Sequence, residues 1–181
     1  MVCDVVRKKC ITCNFSVFVG DERKQITVLA CGTASGEMLK PFVLYDGVRV
    51  QTKWLDGTED DSCTVLVNKS GFLDCKLFCS YVEQVVVPYL ESLSGEVKST
   101  RALLSLDGHY SHIYSEDPVE FWRAKDMEVL CLPAGQTSKL QPLDVSVFGP
   151  LKTRWRRYLK SINGVADQVI LRVILLNYSQ Y

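Results

Sequence analysis

Two aspartates have the sequence surroundings expected of ligands for a divalent metal ion. Asp107 directly follows the hydrophobic run at residues 103–106, where a buried strand would end. Asp144 follows Leu143 and opens an apolar, helix-like segment. Carboxylates held on two separate elements can converge on Mg²⁺, and such ions promote in-line displacement at phosphodiesters. The two aspartates therefore indicate a protein that cleaves or joins phosphodiesters. Such catalysis depends on whether a third carboxylate completes the metal site.

Each aspartate also has a purely structural interpretation. Asp107 with Gly108 could form a turn after a strand, and Asp144 could cap the following helix. His109 and His112 could orient DNA or a water molecule, but histidines near a turn more often make structural hydrogen bonds. We therefore leave both histidines out of the predicted metal shell. From the residues alone, the catalytic and structural interpretations of the aspartates remain open.

Length and composition favour one domain with a substantial core. The chain has 181 residues, of which 47% are hydrophobic. Lys plus Arg and Asp plus Glu both number 21, so the chain lacks the basic excess of a self-sufficient DNA-binding module. Any affinity for nucleic acid must be local. No apolar stretch approaches the roughly 20 residues that span a bilayer, and no signal peptide is evident. We therefore expect a soluble intracellular protein without membrane contact.

The eight cysteines are scattered along the chain, which predicts free thiols rather than a disulfide framework. Cys10 and Cys13 have the spacing of half a zinc site. No second Cys or His pair follows at a zinc-finger distance, and a structural zinc needs four ligands, so we predict no zinc. Cys75 and Cys79, one helical turn apart, are predicted to be small residues facing the core.

The elements that would position the aspartates alternate between strands and helices. Apolar, β-branched runs at residues 15–19, 26–32 and 41–45 predict three antiparallel strands in a meander. An exposed acidic loop precedes a short strand at 64–67. Apolar residues at helical spacing predict a core-facing helix over 73–90, with a kink or break near Pro88.

The C-terminal half continues the same pattern. Strands are predicted at residues 102–106 and 128–132, with a short helix at 119–125 between them. A longer helix over 145–162 has an apolar face, a strongly basic polar surface and an interruption at its start. Its basic residues could contact DNA phosphates or simply form a solvated helix surface, and both interpretations stay open. The candidate phosphate contacts are Lys152, Arg154, Arg156 and Arg157.

The motifs around the two aspartates resemble the catalytic core of pogo-like transposases, including the Tigger and jerky groups. The resemblance covers residues 26–162 and rests on several motifs in the family's order. They are Thr27-Val28-Leu29-Ala30-Cys31, Ala34-Ser35-Gly36, Pro41-Phe42-Val43, Leu106-Asp107-Gly108-His109-Tyr110-Ser111-His112, Cys131-Leu132-Pro133, Thr137-Ser138-Lys139-Leu140-Gln141-Pro142-Leu143-Asp144 and Val147-Phe148-Gly149-Pro150-Leu151-Lys152.

This resemblance implies a DDE superfamily endonuclease with a ribonuclease H-like α/β fold, a mixed sheet flanked by helices. In that family three acidic residues bind two divalent ions, Mg²⁺ or Mn²⁺, which cut DNA ends and join them to a target. Asp107 and Asp144 match two of the three metal ligands. DNA is the implied partner and the nucleus the implied location, and a homo-oligomer is compatible with the family. The expected organisation is an atypical segment at 1–25, the DDE domain at 26–162 and a partial C-terminal helix at 163–181.

The chain departs from the family at the first acid. The family places that acid at the end of its opening strand, in an Asp-Glu-Ser/Thr-Gly motif that has no match here. Asp4 lacks the neighbouring Glu and Gly, and Asp21-Glu22 comes too close to the strand at Thr27. We therefore expect an N-terminally truncated fold, in which the chain begins after the opening strand or carries unrelated sequence in its place. Loss of that strand would leave an exposed sheet edge and a weaker metal site.

Two functions follow from this departure. One is two-metal DNA strand cleavage and transfer by a transposase or endonuclease domain. The other is a catalytically inactive, domesticated fragment that binds nucleic acid or protein. The chain also lacks the N-terminal helix-turn-helix modules with which such transposases read their ends, so sequence-specific DNA recognition is not predicted.

Overall fold

The computed structural model describes residues 10–19, 24–54, 62–93, 102–106, 121, 123–125, 127–132, 143, 148–150, 153, 154 and 157, with the backbone alone at 10–19, 24, 25 and 53. Six strands lie in this part of the chain. They are β1 (Cys10–Val19), β2 (Lys24–Thr33), β3 (Phe42–Asp46), β4 (Thr64–Asn68), β5 (Ala102–Leu106) and β6 (Met127–Cys131). A 3-10 turn spans Thr52–Trp54, and helices α1 (Cys75–Tyr81) and α2 (Val87–Ser92) are joined by a π-helical turn at Val82–Val86.

The six strands form one mixed sheet in the order β4-β3-β2-β1-β5-β6. β1, β2 and β3 pair antiparallel, as the predicted meander requires. β4 pairs with β3, and β5 pairs with both β1 and β6, in parallel. The predicted α/β class and the predicted meander are therefore both confirmed.

The strand β1 occupies the centre of the sheet, between β2 and β5. Its pairing with β2 runs from Cys10 opposite Thr33 to Val19 opposite Lys24. The exposed sheet edge that we expected is therefore not found beside β2. Instead, β1 fills the position of the family's opening strand with a sequence that lacks the acidic motif, which is the second of the two predicted alternatives. The apolar pattern predicted only the second half of β1, because the mixed residues before Phe15 form a strand by pairing with neighbours on both sides.

Side chains of successive strand residues point to opposite faces of the sheet. On one face, Leu29 and Cys31 of β2 share a buried cluster with Leu104 and Leu106 of β5 and with residues of α1 and the π turn. We call this the helix-covered face. On the other face, called the opposite face below, the β2 residues Val28 and Ala30 are also fully buried. Both faces of β2, inside the sheet, are thus shielded from water.

The helix that covers the sheet begins with a side-chain cap and contains one irregular turn. The Asp74 carboxylate accepts a hydrogen bond of 2.8 Å from the backbone N–H of Leu77, which satisfies one free amide at the helix start. The Val87 N–H donates to the Val82 carbonyl, five residues back. Pro88 has no N–H, and its ring clashes with the carbonyl four residues earlier in a regular helix. The predicted interruption near Pro88 therefore takes the form of this π turn.

The cysteines whose side chains the structure describes are all free thiols, as predicted: Cys31, Cys63, Cys75, Cys79 and Cys131. Cys75 and Cys79 are half-buried on α1 rather than packed in the core. Cys3 and the side chains of Cys10 and Cys13 lie outside the described part. None of the described helices is long and apolar enough to cross a membrane.

Candidate metal centre and nucleic-acid face

Strand β5 leads directly to the first predicted metal ligand. Leu104 and Leu106 are fully buried, and the Leu106 carbonyl accepts a hydrogen bond of 2.8 Å from the N–H of Leu132, just after β6. The end of β5 is therefore held by packing and by backbone pairing. Asp107 is the next residue in the sequence, but it lies outside the described residues, as do His109 and His112. Its role as a ligand stays a prediction.

The second predicted ligand, Asp144, lies between two buried anchors. Leu143 is 5% exposed and Phe148 is fully buried. Leu143 packs over Gly32 of β2: a Cβ built at Gly32 would lie 3.0 Å from Leu143 Cδ2 and 3.1 Å from Met38 Sδ. Glycine permits this close approach of a side chain to the sheet. Asp144 itself lies outside the described residues, so its metal-binding role also stays a prediction.

Gly32 belongs to the candidate site, although no sequence motif indicated this role. A glycine inside a strand is a sign of close approach by another segment, and that signal was available in the sequence. Its partner Leu143 comes from a segment more than 100 residues later in the chain. Only the folded structure shows which segment approaches the glycine.

The sheet register connects Leu143 with the strand that leads to Asp107. Gly32 of β2 pairs with Ile11 of β1, and Ile11 pairs with Ser105 of β5. Directly paired residues lie on the same face, so these three positions form a row across the opposite face, called the 32–11–105 row below. Leu143 covers one end of this row, and the other end lies two residues before Asp107 in the sequence.

Strand β1 contributes no acidic residue to this region. Its sequence, Cys-Ile-Thr-Cys-Asn-Phe-Ser-Val-Phe-Val, contains neither Asp nor Glu. The candidate acids Asp4, Asp21 and Glu22 all lie outside the described residues. β1 ends at Val19, eight residues past Ile11, which is about 26 Å at roughly 3.3 Å per residue. Asp21 and Glu22 come after that end in the sequence, and whether either is a ligand is untested.

The basic residues predicted to contact DNA are only partly described. Arg154 and Arg157 are exposed and helical, and residues 149, 150 and 153 are helical as well. The Thr153 hydroxyl donates a 3.2 Å hydrogen bond to the Gly149 carbonyl, four residues back. The predicted helix over 145–162 is therefore confirmed at these positions. Lys152 and Arg156 lie outside the described residues, and the phosphate-binding role of all four residues stays a prediction.

The described side chains contain no cluster of three His, Cys, Asp or Glu that could hold a metal ion. This part of the chain includes neither Asp107 nor Asp144, so the statement concerns other sites only.

Comparison with known proteins decides the family. A family model described as "DDE superfamily endonuclease" matches residues 23–169. The chain belongs to this family. Its relatives include the human protein "Pogo transposable element with KRAB domain", 26% identical over 133 residues, which are 73% of this chain and 20% of that protein. A second human relative, "Pogo transposable element with ZNF domain", is 24% identical over 88% of this chain and 12% of its own length. The chain is thus a pogo-like DDE transposase domain, as the sequence motifs predicted.

A third relative carries a different kind of name. The "MFS-type transporter clz9" of Cochliobolus lunatus is 25% identical over 142 residues, which are 78% of this chain and 15% of that protein. The DDE domain thus spans no more than 20% of the length of any of these three relatives. Their names describe far longer proteins.

Solved structures with the same fold include a transposase catalytic domain and a viral intasome. The structure "Mos1 transposase catalytic domain and Raltegravir with Mg" has a TM-score of 0.50 and 13% identity, and the match covers 96% of this chain and 81% of that one. An intasome of simian T-cell lymphotropic virus has a TM-score of 0.50 and 9% identity, and the match covers 95% of this chain and 48% of that one. These likenesses confirm the predicted ribonuclease H-like fold.

Proposed function

We propose that this DDE domain binds DNA, and that Asp107 and Asp144 hold one divalent cation, Mg²⁺ or Mn²⁺, beside the end of β5. One observation carries the proposal: Leu106 and Leu143, which directly precede the two aspartates, are both buried against the sheet centre. Leu106 lies on the helix-covered face, so the next strand position would lie on the opposite face. Leu143 packs on that same opposite face, over Gly32.

The two aspartates, Asp107 and Asp144, would hold one hard cation rather than two. Mg²⁺ is commonly held by one or two carboxylates together with water molecules and phosphate oxygens. Two ions about 3.5 to 4 Å apart would need a further carboxylate, and β1 contains none. When bound, a single cation would supply positive charge that attracts a DNA phosphate. No cleavage step follows from Asp107 and Asp144 alone, so DNA binding by this DDE transposase/endonuclease domain is the function we assign, and strand cleavage is expected only if another part of the chain supplies a third carboxylate.

The relatives support DNA as the partner. The chain belongs to an endonuclease family, two of its relatives are named as pogo transposable elements, and its structural neighbours include an intasome. The Mos1 structure was determined with Mg, which supports a divalent cation in this fold. Two relatives are human proteins named as pogo transposable elements, and DNA transposition in a human cell takes place in the nucleus, so we propose that location for this chain.

Cation titration tests the metal site. Electron paramagnetic resonance of free Mn²⁺ should show one ion bound per wild-type chain. Asp107→Asn and Asp144→Asn should each weaken binding at least about tenfold, because each removes one charged oxygen ligand. Asp46→Asn is the matched control, since Asp46 is an exposed carboxylate at the end of β3. Equal Mn²⁺ affinity in all four proteins would refute the site.

A nicking assay tests whether a third carboxylate completes the site. Wild-type protein should retain labelled DNA on a filter but should not nick supercoiled DNA in Mn²⁺. Metal-dependent nicking that Asp144→Asn abolishes would show that another part of the chain supplies that carboxylate and would support an active nuclease. Nicking that persists in the Asp144→Asn protein would identify a contaminating nuclease.

A further inference from the structure

Two thiols lie next to each other near the start of the helix that covers the sheet. Cys75 is the first residue of α1, and Cys79 stands four residues later. Residues four apart lie on the same side of a helix, with their Cβ atoms about 5 to 6 Å apart. The two thiols also share a side-chain hydrogen bond. Cys75 and Cys79 therefore form one cluster, called the α1 dithiol below, which DNA binding does not use.

The start of α1 holds the α1 dithiol in a fixed arrangement. The Asp74 carboxylate accepts a hydrogen bond of 2.8 Å from the Leu77 N–H. The Asp74 carbonyl accepts another of 3.0 Å from the Phe78 N–H, and the Phe78 side chain is buried in the core cluster. Both thiols are half-buried, so an ion from solution can reach them. Binding of an ion should need little rearrangement of the helix, and such preorganisation favours affinity.

The spacing of the α1 dithiol suits a bridging metal ion better than a disulfide. A disulfide needs Cβ atoms about 3.5 to 4.5 Å apart, which is closer than positions one turn apart in a regular helix. Metal–sulfur bonds of about 2.3 Å, as in zinc sites, let one ion join two sulfur atoms up to about 4.6 Å apart. The hydrogen bond between the thiols shows that the two sulfur atoms already face each other.

The number of ligands selects the kind of ion. Glu83 lies one turn beyond Cys79, but its carboxylate is 4.0 Å from the Lys125 ammonium. The described side chains include no group of three His, Cys, Asp or Glu residues that could hold a metal ion. A structural zinc ion needs four protein ligands, so two thiols are too few. Soft thiolate ligands favour Cu⁺, and Cu⁺ is stable with two thiolates in a linear arrangement.

We propose that Cys75 and Cys79 form a binding site for one Cu⁺ ion, which bridges their two sulfur atoms across a turn of α1. Each thiol loses its proton to water when its sulfur bonds the ion, so two protons leave for each Cu⁺ that binds, and no electron is transferred. Burial, and after it the neighbouring Cys75, raise the pKa of the Cys79 thiol. The ion therefore displaces a firmly held proton, and its affinity should fall as the pH is lowered.

Competition for Cu⁺ tests the site. In anaerobic solution with ascorbate, the full wild-type chain should take one Cu⁺ from the coloured chelator bicinchoninate. Cys75→Ser and Cys79→Ser should each weaken binding at least about tenfold, because even the loss of a group that supports a ligand commonly costs 10- to 100-fold. Cys131→Ser is the control, since it removes an exposed thiol from β6, and it should bind as the wild type does. Wild-type affinity in folded Cys79→Ser would overturn the proposal.

A rearranged variant separates the spacing of the thiols from their number. Cys79→Ser combined with Ser80→Cys keeps eight cysteines in the chain. It moves the second thiol to five residues after Cys75, about 140° around the helix, where the two sulfur atoms cannot share one ion. The variant should bind Cu⁺ at least about tenfold more weakly than the wild type. Wild-type affinity in the folded variant would overturn the bridging geometry.

X-ray absorption at the copper edge needs no variant. Wild-type protein loaded with one equivalent of Cu⁺ should show two sulfur ligands and no nitrogen or oxygen ligand. Three or more sulfur ligands would overturn the two-thiol site, as would Zn²⁺ binding at Cys75 and Cys79 as tight as that of Cu⁺. Asp144→Asn should leave Cu⁺ binding unchanged, because the α1 dithiol shares no ligand with the proposed cation site at Asp107 and Asp144.

Discussion

Cys79 shows how the fold changes the chemistry of a single side chain. Burial, and after it the neighbouring thiol of Cys75 one turn earlier on α1, together raise the pKa of the Cys79 thiol from 9.0 to about 12. The thiolate, rather than the thiol, attacks electrophiles. Cys79 should therefore react slowly even though it is only half-buried, and more slowly than Cys131, whose side chain is exposed.

Alkylation with iodoacetamide at a pH of about 9 checks this contrast. A pKa of about 12 leaves roughly one thousandth of the Cys79 thiol ionised at that pH, compared with more than half of an ordinary thiol. Labelling of Cys79, followed by peptide mass spectrometry, should be at least about tenfold slower than labelling of Cys131. Cys75→Ser should accelerate Cys79, because it removes one cause of the raised pKa. Equal rates for Cys79 and Cys131 in folded protein would contradict the prediction.

The same pKa shift predicts how stability depends on pH. The folded state favours the neutral Cys79 thiol, so its contribution to stability is fully present below pH 9 and is lost as the pH rises towards about 12. Urea unfolding of the wild type should therefore show a steeper loss of stability across this range than urea unfolding of Cys79→Ala. Parallel pH profiles for the two proteins would show that the Cys79 titration does not affect folding.

Candidate site residues that belong to short local motifs could be predicted from the sequence. Those whose role depends on contact with a distant part of the chain could not. Asp107 and Asp144 stand in short, distinctive motifs, so they were recognised without a structure. The importance of Gly32 depends on Leu143, which approaches it from more than 100 residues later in the chain. Such long-range contacts leave little signal in one sequence. The ligand roles of the two aspartates stay predictions.

At the level of elements, apolar periodicity predicted most of the sheet. The strands β2 to β6 were each expected within two residues of their observed bounds, because β-branched and apolar residues dominate them. β1 was recognised only from Phe15, since its first half mixes polar residues with cysteines. The antiparallel meander followed from short connections, whereas the central place of β1 could not, because strand order depends on which distant strands pair.

The contact between β2 and Leu143 provides a test at the element scale. Gly32→Val should push Leu143 and Met38 away from the sheet, because even a Cβ at this position would lie 3.0 and 3.1 Å from their side chains. Overpacking of this kind commonly costs about 1 to 3 kcal/mol. We expect urea unfolding to show that loss and Mn²⁺ titration to show weaker binding, because Leu143 precedes Asp144. Gly32→Ala should show a smaller effect on both measurements.

Two results would contradict this coupling. If Gly32→Val lowered stability without changing Mn²⁺ affinity, the position of Leu143 would not control the cation site. If neither quantity changed, Leu143 would not pack over Gly32 in solution.

For the whole molecule, the charge balance limits how the domain can attract DNA. Basic and acidic residues both number 21, so the net charge supplies no long-range attraction to a polyanion. Attraction must come from a local surface, and the helix carrying Arg154 and Arg157, both exposed, is the strongest candidate. Residues three apart lie on neighbouring positions of one helix face, so both guanidinium groups could meet one phosphate backbone.

The salt dependence of DNA binding tests this surface. Each phosphate contact releases bound counterions, and the slope of log affinity against log salt changes by about 0.9 per contact on duplex DNA. Arg154→Ala combined with Arg157→Ala should therefore weaken binding at low salt and reduce the slope by about 1.8. Fluorescence anisotropy of labelled duplex DNA over a series of KCl concentrations gives both quantities.

Arg49→Ala with Arg123→Ala removes the same charge from two other exposed arginines and should leave the slope near the wild-type value. Equal reductions in the two double variants would mean that only total charge matters, and an unchanged slope in the first would exclude this helix from the DNA-binding face.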